Sequence, residues 1–238
     1  YLKPSDHYEQ AQWEFGASVA IAGNLVVVGA PEGRRPGAGN PGAVYVFERD
    51  GNNVWEEKAK LLEGVSETRN SSNYATAVAV SDELVVVGAI ALALGGVGYP
   101  GSVFVYRRGE QDTWVREAEL QPTGGNGVDA LGNSDNFGYS LSLSGDSLVV
   151  GAPLEDSSVS GVHQGVQSAA ETDEGAPNSG AAYVFVRSET GTWSQQAFLK
   201  ASNPLNISDD PTVPDGGDNF GHSVAIADDT IVVGAPYE

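Results

Sequence analysis

The sequence predicts an all-β protein built from consecutive β-sheet blades, because two short markers recur along the chain in register. The first marker is an aromatic residue followed by a small one, and the second is a Gly-Ala pair within the next fifteen residues. Successive copies are offset by 59, 63 and 83 residues, whichever marker is used for counting. Periodicity on this scale indicates a repeat array or a propeller. The copies are Phe15-Gly16 with Gly29-Ala30, Tyr74-Ala75 with Gly88-Ala89, Phe137-Gly138 with Gly151-Ala152, and Phe220-Gly221 with Gly234-Ala235.

Each copy carries four strand signals. In the first copy, Ser18–Ala22 alternates and Leu25–Val28 is continuously apolar, and only Gly23-Asn24 separates them, which is typical of a tight hairpin. Ala43–Phe47 and Trp55–Leu61 supply the third and fourth strands. The prediction is therefore a four-stranded antiparallel blade, with strands ordered along the chain from the axis outward and essentially no α-helix.

The fourth strand of each copy is predicted to be the outermost one. Trp55, Ala59 and Leu61 share one face of this strand, whereas the opposite face carries only charged residues. The same apolar pattern begins at Trp114 and at Trp193. One apolar face and one polar face indicate a strand that is packed on one side only. We expect the three tryptophans to be largely buried near the blade edges.

Three copies are complete, and a fourth contains only its first two strand signals. Residues 1–3 align with residues 198–200, which predicts that the chain starts in the tail of a preceding outer strand. Propellers close with about four or more blades, and an open piece would leave strand edges unpaired. We therefore expect residues 1–238 to be part of a single propeller, completed by further blades of the same protein or by another chain. The repeats span residues 15–61, 74–120, 137–199 and, in part, 220–238.

The charge balance restricts the partners. The chain has 32 acidic and 12 basic residues, for a formal net charge of −20. Such a field repels nucleic acid and anionic membranes and favours cations and basic partners. The chain has no cysteine, and its longest apolar-leaning loop, Ala89–Val97, is too short to span a bilayer. We expect an extracellular or cell-surface protein whose ligand is a protein or a glycan.

No catalytic constellation is evident in the sequence. The three histidines, His7, His163 and His222, lie at different positions of the repeat, and no Gly-x-Ser-x-Gly elbow is present. We therefore expect no enzyme activity in this chain. Two functions stay open: a non-catalytic binding or scaffolding propeller, and an accessory module of a secreted enzyme whose catalytic domain lies outside these residues.

The chain resembles the FG-GAP repeat family, whose repeats build the β-propeller of integrin α subunits, and it is most similar to bacterial integrin-like proteins. The resemblance depends on the markers above and on three segments: Asp135–Gly138 (DNFG), Gly151–Ser157 (GAPLEDS) and Trp193–Ser202 (WSQQAFLKAS). It implies blades around a central axis, usually seven, with loops on both faces available to partners. It also implies a role in adhesion or protein interaction at the surface of a bacterium.

Integrin-type propellers often hold calcium in a loop between the first and second strands. Here those connections, such as Gly23-Asn24 and Gly145-Asp146, are too short to supply the roughly six to eight oxygens that calcium needs. The family's calcium site is therefore not transferred to this chain, and these residues are interpreted as turn residues.

The long connection Leu154–Ser179 is a better candidate for a metal site. It exceeds its counterparts by about twenty residues, and loops of that length are usually functional or disordered. Glu155, Asp156 and Asp173 are the predicted calcium ligands, together with backbone carbonyls. A solvated surface excursion explains the same charges, and that alternative stays open. The acidic stretch Asp209–Asp218 is a second candidate.

Overall fold

A computed structural model describes residues 1–6, 14–31, 42–62, 72–91, 100–123, 135–166, 168–204 and 217–238. These residues form four antiparallel sheets that follow one another along the chain. The first sheet has the order β1-β2-β3-β4 and the second has the order β5-β6-β7-β8. Their strands are β1 (Ser18–Ala22), β2 (Leu25–Ala30), β3 (Ala43–Arg49), β4 (Trp55–Leu62), β5 (Ser72–Val80), β6 (Leu84–Ala91), β7 (Ser102–Arg108) and β8 (Trp114–Leu120).

The third sheet has five strands and the fourth has two. Four of the five follow the predicted order, from β9 at one edge through β10 and β12 to β13. The strands are β9 (Ser140–Ser144), β10 (Ser147–Ala152), β11 (Val162–Gln164), β12 (Ala181–Arg187), β13 (Trp193–Leu199), β14 (Ser223–Ala227) and β15 (Thr230–Gly234). The all-β prediction with four-stranded antiparallel blades is confirmed. A two-residue hairpin joins the first two strands of the first blade, as predicted, since Ala22 pairs directly with Leu25.

The fifth strand of the third blade was not predicted. β11 lies within the long connection between β10 and β12 and pairs antiparallel with the outer edge of β13, where His163 is opposite Phe198. The same connection contains a single-turn helix, α1 (Ser168–Glu171). The outer strand of this blade is therefore covered, whereas the sequence pattern suggested an exposed outermost strand.

A β-bulge interrupts the outer strand of every complete blade. In the first blade Val46 pairs with Ala59 while its neighbour Phe47 pairs with Glu57, so Lys58 is an extra residue. Glu117 and Gln196 are the extra residues of the second and third blades. The simple alternation predicted for these strands is therefore wrong at one position, and a bulge of this kind re-aims its side chain.

The hydrophobic cores lie between blades. Val27 and Val46 of the first blade pack with Tyr74 and Phe104 of the second, and all four side chains are buried. Equivalent layers join the second blade to the third and the third to the fourth. Burial on both faces explains why the second and third strands are continuously apolar. The three repeat tryptophans are half-buried at the margins of these cores, so they are less buried than the sequence predicted.

The two sequence markers of one blade are hydrogen-bonded to each other. In the third blade, the amide of Tyr139 donates to the carbonyl oxygen of Asn136 at 3.0 Å, which closes a turn with Gly138 at φ +94°. The amide of Gly138 also donates to the carbonyl of Gly151 at 3.1 Å within the same blade. A positive φ of this size strongly favours glycine, which explains why glycine is the second residue of the aromatic marker in three of the four copies.

Candidate functional site

The two ends of the blades carry connections of very different length. Neighbouring strands are antiparallel, so the connections from second to third strand and from each blade to the next reach the same end, called the loop face here. Residues 153–180 form one such connection. At the opposite end, the turn face, the strand-to-strand connections are short, as at residues 50–54, 109–113 and 188–192.

The long connection of the third blade, residues 153–180, is bound closely to its own blade. The amide of Gly180 donates to the carbonyl of Glu155 at 2.8 Å, which closes the base of the excursion. The amide of Ala176 donates to the carbonyl of Asp156 at 2.7 Å. At the outer edge, the amide of Gly165 donates to the carbonyl of Gln196, the bulge residue of β13. Hydrogen bonds therefore tie this segment together at its base and bind it to the outer strand of the blade.

Lys200 connects both ends of this segment. Its Nζ donates to Glu155 Oε2 at 2.5 Å and to Ser179 Oγ at 2.8 Å. Lys200, Glu155 and Ser179 are all buried. Burial raises the pKa of Glu155 to about 7, and it lowers the pKa of Lys200 below its ordinary value. Each pKa shift is partly offset by the attraction between the two charged groups.

The other two predicted calcium ligands accept hydrogen bonds from their own loop. Asp156 Oδ1 accepts the amide of Asn178 at 2.6 Å. Asp173 Oδ2 accepts both the amide and the hydroxyl of Ser158, each at 2.6 Å, and these bonds hold the pKa of Asp173 below its ordinary value. Both carboxylates therefore help to fix the shape of the segment.

Among the described residues, no group of three or more His, Cys, Asp or Glu side chains is arranged to hold a metal ion. Calcium at Glu155, Asp156 and Asp173 would thus depend largely on backbone carbonyls for its ligands. The calcium hypothesis stays a prediction. Of the second acidic candidate, only Asp218 lies within the described residues, where its side chain is buried.

The turn face has an ion-pair junction between the second and third blades. Glu117, the bulge residue of β8, accepts hydrogen bonds from Arg187 Nε and Nη2, both at 2.8 Å, and from Trp193 Nε1 at 3.0 Å. Arg107 Nε lies 3.2 Å from the same carboxylate. The hydrogen bonds from Arg187 hold the pKa of Glu117 below its ordinary value. A cavity of about 620 Å³ lies beside this junction, between Arg116 and the turn that follows β12.

The sequence analysis did not identify this ion pair, although the position of Arg187 follows a pattern that repeats along the chain. Arg49, Arg108 and Arg187 each stand six residues before a repeat tryptophan. The backbone amide of each of these arginines donates to a carbonyl in the first hairpin of its own blade, for example from Arg187 to Asp146 at 2.9 Å. A basic residue at a fixed distance from the tryptophan therefore marks the end of the third strand.

A paired hydrogen bond from an amide and a hydroxyl recurs on two of the outer strands, and the sequence analysis did not predict it. Thr123, which follows β8, donates through its amide and its hydroxyl to Gln195 Oε1, at 3.2 Å and 2.7 Å. Ser5 makes the same pair of bonds to the carboxylate of Glu57, both at 2.8 Å. Gln195 and Glu57 each lie two residues after a repeat tryptophan, so the acceptor of these bonds occupies the same position in both repeats.

The described histidines lie in separate parts of the loop face. His163 Nε2 is 3.1 Å from the carbonyl oxygen of Ser160, and His222 Nε2 is 3.3 Å from the hydroxyl of Tyr139. His7 lies outside the described residues. Within the part of the chain that the structure describes, no helix is long and apolar enough to cross a membrane.

Comparison with family models finds the FG-GAP repeat. The model matches residues 2–47, 114–185 and 211–238, which together make up more than half of the chain. The unmatched stretch between the first two segments contains the diverged Tyr74-Ala75 marker. A search of curated proteins finds no match.

Proposed function

Because the chain belongs to the FG-GAP repeat family, we propose that it is a non-catalytic binding or scaffolding propeller of a secreted or surface-exposed bacterial protein. FG-GAP repeats suggest a propeller-type module for protein interaction. The proposal adds an extracellular location, an absence of catalysis and a specific binding surface. That surface is the loop face.

The difference in length between the connections of the two faces is the observation that supports this proposal. Propellers are rigid because each blade packs on its neighbours, so connections can vary without changing the core. Binding residues accumulate on loops that a rigid scaffold positions. Here the connections of the turn face are short, whereas residues 153–180 form a long connection on the loop face whose described residues are hydrogen-bonded to the third blade.

Residues 172–177 of this connection suit contact with a partner. Thr172, Glu174, Gly175 and Pro177 are exposed, while Ala176 between them is buried and its amide is bonded to the carbonyl of Asp156. Exposed groups on a backbone that is already fixed bind a partner with little loss of conformational entropy. The net charge of −20 favours a partner with a basic surface.

A labelled Lys/Arg-rich peptide is a suitable first probe, and fluorescence anisotropy can measure its Kd. The loop-face variant combines Glu174→Gln with Glu14→Gln and Glu238→Gln, three exposed residues in the connections of that face. The matched turn-face variant combines Glu110→Gln, Glu189→Gln and Asp229→Asn, all at exposed positions. Both variants lose three negative charges, so long-range attraction falls equally in both.

We expect the loop-face variant to bind the peptide several-fold more weakly than the turn-face variant at low salt. Equal weakening would mean that the peptide senses only the overall charge, and it would overturn the loop face as the binding surface. The extracellular part of the proposal is tested separately, by labelling the intact source cells with a membrane-impermeant amine reagent.

A further inference from the structure

The outer edge of the third blade is formed by β11, the short strand within the long connection. One edge of β11 pairs with β13, and none of the described strands pairs with its other edge. An open strand edge directs backbone N–H and C=O groups outward, so it is a template for another extended segment. A partner of the loop face can therefore add a strand at this edge.

The hydrogen bonds to the outer strand region show which backbone groups face the open edge. The amide of Gly161 donates to the carbonyl of Ala201 at 3.2 Å. The amide of Gly165 donates to the carbonyl of Gln196 at 2.6 Å. Successive residues of an antiparallel strand direct their N–H and C=O groups to opposite edges. Because Val162 follows Gly161, its N–H and C=O groups point away from β13 and towards the open edge.

The side chains at this edge are apolar and exposed. Val162 is 65% exposed, and Val166 is 48% exposed. The ring of His163 packs on the ring of Phe198 with the centroids 6.2 Å apart, which holds β11 on the blade. Exposed β-branched side chains beside an open strand edge favour the pairing of another strand.

The outer strands of the other complete blades are protected against strand addition, whereas β11 is not. β4 and β8 contain bulges, with Lys58 and Glu117 as the extra residues, and both strands carry further charged side chains. Bulges and charged side chains prevent the pairing of another strand at an edge. β11 pairs with β13 without a bulge, and residues 161–166 contain no Asp, Glu, Lys, Arg or Pro.

The charge around β11 determines the kind of partner that fits. Residues 153–180 contain five Asp or Glu residues and no Lys or Arg. A second copy of the chain also has a net charge of −20, so the two copies would repel each other. A basic segment is attracted by the same charges.

On the basis of the loop-face function, we propose that β11 binds an extended basic segment of a partner protein as an added antiparallel strand. A residue of that segment lies opposite Val162 and exchanges two backbone hydrogen bonds with it. Its apolar side chain contacts the Val162 side chain as a cross-strand pair. The backbone bonds supply affinity, and alternate side chains of the added strand supply specificity.

Peptides of alternating valine and lysine test the proposal, with Kd measured by fluorescence anisotropy. N-methylation removes a backbone N–H and keeps the charge of the peptide. With valine opposite Val162, methylating the valines removes hydrogen bonds to β11, whereas methylating the lysines changes only the outer edge of the peptide. We expect the valine-methylated peptide to bind about tenfold more weakly than the unmodified peptide, and the lysine-methylated peptide to bind within about twofold of it.

Two measurements on the protein locate the bound peptide. The Val162→Ser variant should bind the unmodified peptide several-fold more weakly. Val54→Ser is the matched control, because Val54 is an exposed valine of a turn-face connection, and it should leave Kd unchanged. Residue-resolved hydrogen exchange should show that the peptide slows exchange of the Val162 amide.

The outcomes distinguish strand addition from the loop-face function itself. Equal Kd values for the two methylated peptides, with exchange still slowed in residues 153–180, would overturn strand addition and leave the loop face as the binding surface. An unmodified peptide that slows exchange nowhere in residues 153–180 would overturn both. A peptide-free dimer in sedimentation, with the Val162 amide protected, would overturn the basic partner and assign this edge to a second copy.

Discussion

The carbonyl oxygen of Gly138 in the third blade lies directly against Gly88 in the second, where a Cβ on Gly88 would be 2.1 Å from that oxygen. The other two junctions repeat the arrangement. A Cβ on Gly151 would be 2.0 Å from the carbonyl of Gly221, and a Cβ on Gly29 would be 2.5 Å from the carbonyl of Ala75. The Gly-Ala marker of one blade therefore packs directly against the marker of an aromatic and a small residue in the next blade.

Gly88→Ala should destabilise the chain because backbone must move to admit the new Cβ. We expect a loss of about 1–3 kcal/mol in the free energy of unfolding, measured by urea denaturation. Gly51→Ala is the matched control, since a Cβ at Gly51 meets no atom within 4 Å. Similar losses in the two variants would show that the junction is looser than described.

Ala75→Gly should cost less than an ordinary alanine-to-glycine change. Ala75 has φ +76°, a conformation that costs an L-residue about 1–2 kcal/mol and costs glycine nothing. The comparison is with Ala79→Gly, a buried alanine in β5 without positive φ. We expect Ala75→Gly to be more stable than Ala79→Gly by about 1–2 kcal/mol. Equal stability of the two variants would contradict the strain assigned to Ala75.

Strand positions could be predicted from the sequence because each inner strand is a continuous apolar run, as at Leu25–Val28. The bulge at Glu117 could not, because one extra residue in a strand barely changes the pattern of apolar positions. Lys200 also escaped notice. The equivalent residues of the other two complete blades are Leu62 and Gln121, and its partner Glu155 is 45 residues away. A contact between residues so far apart depends on the path of the long connection between them, which no short sequence pattern predicts.

Glu117→Gln should weaken the junction between the second and third blades. The variant leaves Arg187 and Arg107 without their shared carboxylate, and we expect a loss of about 1–3 kcal/mol at neutral pH. Glu110→Gln, at an exposed position, should change the free energy of unfolding by less than about 0.5 kcal/mol.

The decrease in the free energy of unfolding caused by Glu117→Gln should also depend on pH. The folded-state pKa of Glu117 lies below its ordinary value of 4.5, so its contribution is present above that pH and disappears as the pH falls through the folded-state value. The difference between the wild type and Glu117→Gln should therefore shrink below pH 4.5. A difference that stays constant down to pH 3 would contradict the ion pairing of Glu117.

The calcium hypothesis predicts that millimolar calcium raises the melting temperature. Binding to the folded form alone stabilises by about 2.7 kcal/mol at a hundredfold excess over Kd. Asp156→Asn with Asp173→Asn should remove most of the calcium-dependent increment, whatever the variant's starting stability. Sodium chloride at equal ionic strength is the control, since screening also reduces repulsion in an acidic chain. If sodium reproduces the whole shift, there is no calcium site at these residues.

Hydrogen–deuterium exchange of the chain with the Lys/Arg-rich peptide tests the binding surface most directly. If the loop face is that surface, the peptide slows exchange in residues 153–180 and leaves the turn-face connections at 109–113 and 188–192 unchanged. Slower exchange confined to the turn-face connections, or the same small change at both faces, would contradict the account.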